Sequence, residues 1–155
     1  MRARQIIVAG AVILFAVSFA AWSLAKAARS SPQNDDSVPA YHTQVPSSPL
    51  PATLDPSEFN DPVVKNAYHV AAKVKKVLYQ QPCYCHCDRS QGHGSLLDCF
   101  AGKHASVCGT CIQEGFYAYE QTKKGKTPVQ IRAEIIHGQW MNVDLSKYQT
   151  YPPKQ

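Results

Sequence analysis

The sequence has no cysteine before Cys83 or after Cys111, and it has little net charge beyond its first 27 residues. The formal net charge of the 155 residues is +5, but three of the basic side chains lie within residues 1–27. The rest of the chain has 13 basic and 11 acidic side chains, a net charge of +2. Such a small excess gives no indication of the basic surface that is typical of nucleic-acid-binding domains. No internal repeat is apparent either.

The longest apolar run lies near the N-terminus. From Ile6 to Ala25 the chain contains no charged residue, and in helical form this run would cover about 30 Å, the thickness of a bilayer core. Residues 1–27 are therefore expected to be a membrane anchor, or a signal peptide cleaved after Ala27. No thiol near this segment is available to carry a lipid. Either interpretation places the remainder outside the cytoplasmic membrane, in the periplasm or the extracellular space.

Proline marks the next segment. Seven of the eleven prolines fall between Pro32 and Pro62, interspersed with serine and aspartate. This composition is typical of an extended, disordered tether, which we place at residues 28–56. Such a tether would suit a domain whose partner is another membrane protein. The folded domain is then expected at residues 57–140, followed by a flexible tail at 141–155.

The fold class expected for this domain is mainly α-helical. The first helix begins at Asp61 and Pro62 and runs to about Gln80, with apolar residues at helical spacing. A second is predicted from Gly109 to Lys124 and a third over 127–137, where Thr127 and Gln130 match a capping box. Gly125 is expected to end the second helix, and the join through Lys124, Gly125 and Lys126 makes the last two an antiparallel hairpin. Residues 82–107, between the first and second helices, are expected to form an irregular loop rich in cysteine and histidine. The buried face predicted for the second helix consists of Ile112, Phe116 and Tyr119.

A soft-metal site is the favoured interpretation of the cysteines. Thiolate and imidazole are ligands for Cu(I) and Zn(II), whereas Ca(II) and Mg(II) prefer oxygen. The spacing differs from that of a zinc knuckle with two C-x(2–4)-C pairs. Eight candidates exceed the four ligands of a tetrahedral ion, so either two ions bind or some cysteines form disulfides. The candidate ligands are Cys83, Cys85, Cys87, His93, Cys99, His104, Cys108 and Cys111.

Three disulfides are the first alternative, because small exported domains with an even number of cysteines are often fully paired. In an extended segment, residues two apart have Cα atoms about 6.6 Å apart, near the upper limit for a disulfide. Each cysteine of the C-x-C-x-C stretch at 83–87 would therefore pair with one of Cys99, Cys108 and Cys111. The protein would then be an interaction module stapled by disulfides, without metal.

Thiol–disulfide exchange is the second alternative. Cys108 and Cys111 form a C-x-x-C at a predicted helix start, where the helix dipole favours the thiolate. Cys108 would attack a substrate disulfide and Cys111 would resolve the intermediate. No βαβ pattern surrounds the pair, so the context of a thioredoxin-type enzyme is missing. Catalytic activity is accordingly not the favoured interpretation.

Five short segments carry a resemblance to a known family: PCYCHC at 82–87, GH at 92–93, LDCF at 97–100, HA at 104–105 and CGTC at 108–111. Together they resemble the bacterial PCYCGC-motif proteins. The resemblance implies an exported, metal-binding domain and implies no enzymatic activity. His86 stands where the family motif has glycine, which implies a positive φ angle and a turn at this position. His86 would otherwise alternate with the cysteines and point away from them.

Overall fold

The structure is a computed structural model that describes residues 37–45 and 48–153. This part of the chain contains α-helices and short 3-10 helices and no strand, so the predicted mainly α-helical class is confirmed. None of its helices is long and apolar enough to cross a membrane. The expected membrane segment at residues 1–27 and the first part of the expected tether lie outside the described residues. The α-helices are α1 (Pro62–Lys73), α2 (Lys75–Leu78), α3 (Cys87–Gln91), α4 (Leu96–Ala101), α5 (Gly109–Lys123) and α6 (Pro128–Ile136).

The first predicted helix is divided in two. Its start is as expected, since Asp61 Oδ1 accepts hydrogen bonds from the backbone nitrogens of Val63 and Val64. Val74 interrupts the helix with φ −121° and ψ 28°, and its N–H bonds to the carbonyl of Ala71 in a tight closing turn. The chain then resumes as α2, which contacts both α4 and α5.

Helix α5 is the centre of the domain, because α1, α2, α4 and α6 all contact it. Its range agrees with the prediction to within one residue. Being surrounded, it is buried on more than one face, and of residues 111–118 only Gln113 is not buried. Ile112 and Phe116 are buried as predicted, while Tyr119 is half-buried. Consequently the helix also carries polar Glu114 into the interior.

The α5–α6 hairpin forms where the sequence predicts it. Gly125 adopts φ +81° in the connection, a left-handed conformation that glycine enters without a Cβ penalty. Thr127 and Gln130 form the reciprocal capping box that starts α6. Gly138, with φ +74°, follows the end of that helix.

Residues 82–107, expected to be irregular, contain two short helices, α3 and α4. Asp98 Oδ2 accepts hydrogen bonds from the backbone nitrogens of Gly94 and Ser95 at 2.7 and 3.1 Å, which caps the start of α4. Leu96, Leu97 and Phe100 of α4 are completely buried. These helices are too short for a periodic sequence pattern, so capping and tertiary burial form them rather than propensity.

A strap, residues 37–45, lies against the domain although the sequence places it in the tether. The His42 ring stacks on the Tyr79 ring with centroids 3.9 Å apart. The backbone nitrogen of Ala40 donates to Asp88 Oδ2 at 3.1 Å, and Arg132 lies over the Tyr41 ring. Farther along, Leu54 N donates to the carbonyl of Phe100.

The C-terminal segment also packs on the core, although a flexible tail is expected from residue 141. The ring of Tyr148 stacks on Phe116 at a centroid distance of 3.6 Å and is buried. Asn66 Nδ2 donates to the backbone carbonyls of Tyr148 and Thr150, both at 2.8 Å. These contacts attach residues 145–150 to α1 and α5.

Candidate metal centre

The C-x-C-x-C stretch forms a turn rather than a strand. His86 adopts φ 54° and ψ 34°, and its backbone nitrogen donates to the carbonyl of Cys83 at 3.0 Å. The positive φ implied by the family glycine is therefore present. The turn brings the sulfurs of Cys83, Cys85 and Cys87 within 4.8 Å of one another. The convergence of these thiols therefore arises from this turn.

The start of α5 supplies two further thiols. Cys108 is the N-cap residue and Cys111 lies in the first turn, so both face the C-x-C-x-C turn. The Cys111 Sγ lies 3.4 Å from the Cys83 Sγ and 3.7 Å from the Cys85 Sγ. Cys108 lies within 4.8 Å of both Cys85 and Cys111. The C-x-x-C pair is thus part of a larger cluster rather than an isolated dithiol.

Helix α4 and the loop before it supply Cys99 and His93. The Cys99 Sγ lies 3.3 Å from the Cys87 Sγ. The Nδ1 atom of His93 lies 3.2 Å from Cys87 Sγ and 3.3 Å from Cys99 Sγ. These contacts place an imidazole nitrogen against two thiols that are twelve residues apart in the sequence.

His104 completes the cluster from the 3-10 helix His104–Val107. Its Nε2 atom lies 3.4 Å from the Cys85 Sγ, and its ring meets the His93 ring edge-on at 5.3 Å. All eight residues singled out by the sequence therefore lie together. The ring of His86 packs instead against Tyr84, with centroids 6.0 Å apart.

The spacing of the sulfurs fits metal ligands better than disulfides. All six cysteines lie in the described residues, and none forms a disulfide. The closest pairs of sulfurs are 3.3 Å apart, far longer than the S–S bond of about 2.05 Å. Around a tetrahedral zinc with Zn–S of about 2.3 Å, neighbouring sulfurs lie about 3.8 Å apart. The observed separations need only a small outward shift to admit an ion.

The family is identified from a match over most of the chain. A sequence model described as "Protein of unknown function with PCYCGC motif" matches residues 12–142. The chain belongs to this PCYCGC-motif family. No curated protein and no solved structure matches the chain. Membership of the PCYCGC-motif family accordingly identifies the motif without assigning its chemistry, which has to be derived from the cluster itself.

Crowding separates the thiol pKa values in the PCYCGC-motif cluster. The hydrogen bond with Cys111 raises the pKa of Cys83, and burial raises the pKa of Cys85 to about 11. By contrast, the hydrogen bond with Cys83 lowers the pKa of Cys87 to about 4. One thiolate is therefore stabilised by neighbouring S–H donors, while other thiols are held protonated. A bound cation would remove this competition, because it stabilises every thiolate that it contacts.

Glu114 is the residue of the site that the sequence reasoning missed. It is completely buried, and its Oε1 accepts a hydrogen bond from the backbone nitrogen of Tyr84 at 2.9 Å. Burial raises the pKa of Glu114 to about 8. Its position three residues after Cys111 puts it on the same side of α5 as that ligand candidate, which is the signal that identifies it.

Asp98, which lies beside Cys99, serves the cluster indirectly. Its carboxylate accepts hydrogen bonds from the backbone nitrogens of Gly94 and Ser95 and thereby caps α4. The cap orients the start of the helix that carries Cys99.

Proposed function

We propose that the protein binds soft transition-metal ions through the six thiols and two imidazoles of the cluster. The observation that carries the proposal is the convergence of these eight side chains: the ligand atoms of seven have a neighbour at 3.2–3.7 Å, and Cys108 lies within 4.8 Å of Cys85 and Cys111. They come from four separate segments of the chain. Packing of a hydrophobic core does not require six thiols in contact with two imidazoles, whereas soft metals prefer this donor set.

Copper, as Cu(I), and zinc are the ions that fit this donor set. The proposed role is to sequester or deliver the ion, or to use it to stabilise the fold. No turnover of a substrate is involved. The apolar segment at Ile6–Ala25 supports a location on the outer side of the cytoplasmic membrane, in the periplasm or the extracellular space. A membrane-protein partner would agree with such an anchor.

The test uses the full-length chain, purified in detergent without a chelator or an affinity metal. Elemental mass spectrometry measures bound copper and zinc, and a thiol reagent counts free thiols after denaturation of the same sample. We expect bound metal together with at least about four free thiols, since ligating thiolates remain reduced. A sample with neither metal nor free thiols would show a disulfide-stapled module and would overturn the proposal.

Single substitutions separate metal binding from the oxidoreductase alternative. Cys83→Ser and Cys108→Ser should both lower the metal content, because each removes a thiol of the cluster. A dithiol enzyme that uses Cys108 and Cys111 would instead lose disulfide reductase activity with Cys108→Ser and keep it with Cys83→Ser. That second pattern, obtained with unchanged metal content, would favour the oxidoreductase.

A further inference from the structure

The eight side chains of the cluster divide into two sets of four. The outer set consists of Cys85, His104, Cys108 and Cys111, whose ligand atoms all lie within 4.8 Å of one another. The remaining residues, Cys83, Cys87, Cys99 and His93, form the inner set. Each set contains three thiols and one imidazole, which is a complete tetrahedral donor set for one zinc ion.

Contacts within the inner set support a separate ion site. Its central pair, Cys87 and Cys99, have sulfurs 3.3 Å apart, and His93 Nδ1 contacts both. Cys83 lies within 4.8 Å of Cys87 in one triad of potential ligands and of Cys99 in another. Cys83, Cys87 and His93 also line one small void. An ion placed among these four atoms would use no ligand of the outer set.

The two sets are in contact: Cys111 lies within 4.8 Å of Cys83 and Cys99, and His104 lies within 4.8 Å of Cys87 and Cys99. Cys83 makes the short sulfur contacts between them. Its sulfur lies 3.3 Å from the Cys85 Sγ and 3.4 Å from the Cys111 Sγ, both of which belong to the outer set. This sulfur of the inner set therefore lies at the boundary between the two sites.

Exposure differs between the sets. In the inner set Cys83, Cys87 and Cys99 are each at most 2% exposed and only His93 is half-buried. Pro39 and Ala40 of the strap line the small void beside this set. In the outer set three of the four ligands, Cys85, His104 and Cys108, are only half-buried. An outer ion can therefore meet a chelator directly, whereas an inner ion is released only after a local opening of the fold.

We infer that the protein holds two metal ions in unequal neighbouring sites, an exchangeable outer ion and a retained inner ion, which meet at Cys83. This inference rests on the proposed function and specifies its stoichiometry and accessibility. The difference would let the protein give up one ion and remain folded around the other.

Zinc alone serves as the probe, with the full-length chain in detergent. Native mass spectrometry of the zinc-loaded chain should show about two ions, three thiolates and one imidazole serving each. A chromogenic chelator should then remove one ion at least about tenfold faster than the other, since only the inner ion requires local opening. In Cys108→Ser the fast phase should vanish and about one ion remain. Cys85→Ser should give the same result, and Thr110→Ser, a change between the two α5 cysteines, should resemble the unaltered chain.

The outcomes separate the two proposals. A single zinc in the unaltered chain overturns the two-ion inference and leaves the proposed function standing. No zinc at all overturns the proposed function itself. Two ions that leave at one common rate, or a complete loss of zinc in both Cys108→Ser and Cys85→Ser while circular dichroism shows them folded, would contradict unequal sites.

Discussion

The buried carboxyl group of Glu114 accepts a hydrogen bond from the Tyr84 backbone nitrogen at 2.9 Å and so connects α5 to the turn that carries three thiols. Cys111 and Glu114 lie on the same helix, which therefore meets this turn through both a thiol and a carboxyl. Because burial raises the pKa of Glu114 to about 8, the group is largely protonated at neutral pH. It acts as a neutral acceptor rather than as a counter-charge.

Replacement of Glu114 tests this connection. Glu114→Ala leaves the Tyr84 N–H without its partner and should lower the free energy of unfolding of the zinc-free chain by about 1–3 kcal/mol. It should also weaken zinc binding, because the turn loses its attachment to α5. Glu114→Gln keeps a carbonyl acceptor of similar shape and should retain most of both properties. Urea denaturation and zinc competition with a chelator measure the two effects; equal losses in both variants would contradict an acceptor role.

Gly115 is expected to tolerate no larger side chain. A Cβ atom there would lie 2.7 Å from Cζ of Phe100, so α4 and α5 pack too closely for alanine. Gly115→Ala should destabilise the protein by about 1–3 kcal/mol through overpacking, despite the higher helix propensity of alanine. The control is Gly109→Ala in the same helix, where nothing lies within 4 Å. Thermal unfolding of both variants decides the matter: if Gly115→Ala proves as stable as Gly109→Ala, the close approach is not a constraint.

Asn66 is expected to hold the C-terminal segment. Asn66→Ala removes the two hydrogen bonds to the carbonyls of Tyr148 and Thr150 and should cost about 1–3 kcal/mol. Hydrogen exchange of the amides of residues 145–150 should accelerate more than that of α5, because the attachment is local. Exposed Asn142 provides the control, since Asn142→Ala should change stability by less than about 0.5 kcal/mol. Unchanged exchange in Asn66→Ala would show that the Tyr148 stack on Phe116 suffices.

His42 is expected to control release of the inner ion. His42→Ala removes the stack on Tyr79, loosens the strap, and should speed the slow phase of zinc chelation by about tenfold while leaving the fast phase unchanged. His42→Phe retains a ring at this position and should preserve the slow phase. The comparison is made by stopped-flow chelation of the full-length chain. A slow phase that is equally fast in both variants would mean that the stack does not keep the strap closed.

The sequence alone predicts the helices whose ends carry chemical signals. Two helices begin at local caps, Asp61 with Pro62 and Thr127 with Gln130, and one ends before Gly125. Each of these signals acts as expected in the structure. The eight candidate ligands could be named for a similar reason. Their residue types define the donor chemistry before any fold is known, and a C-x-C-x-C stretch keeps three of them close in any conformation.

Only the tertiary structure decides how those ligands divide and what covers them. Cys87 meets Cys99, and Cys83 meets Cys111, across separations of 12 and 28 residues that no local pattern specifies. The burial of Glu114 depends on α5 being surrounded, and the docking of the strap depends on Tyr79 being available for His42. Propensity and capping are properties of neighbouring residues, so they can be read along the chain. Burial and ligand pairing are properties of segments brought together in space, and they exist only once the helices have packed.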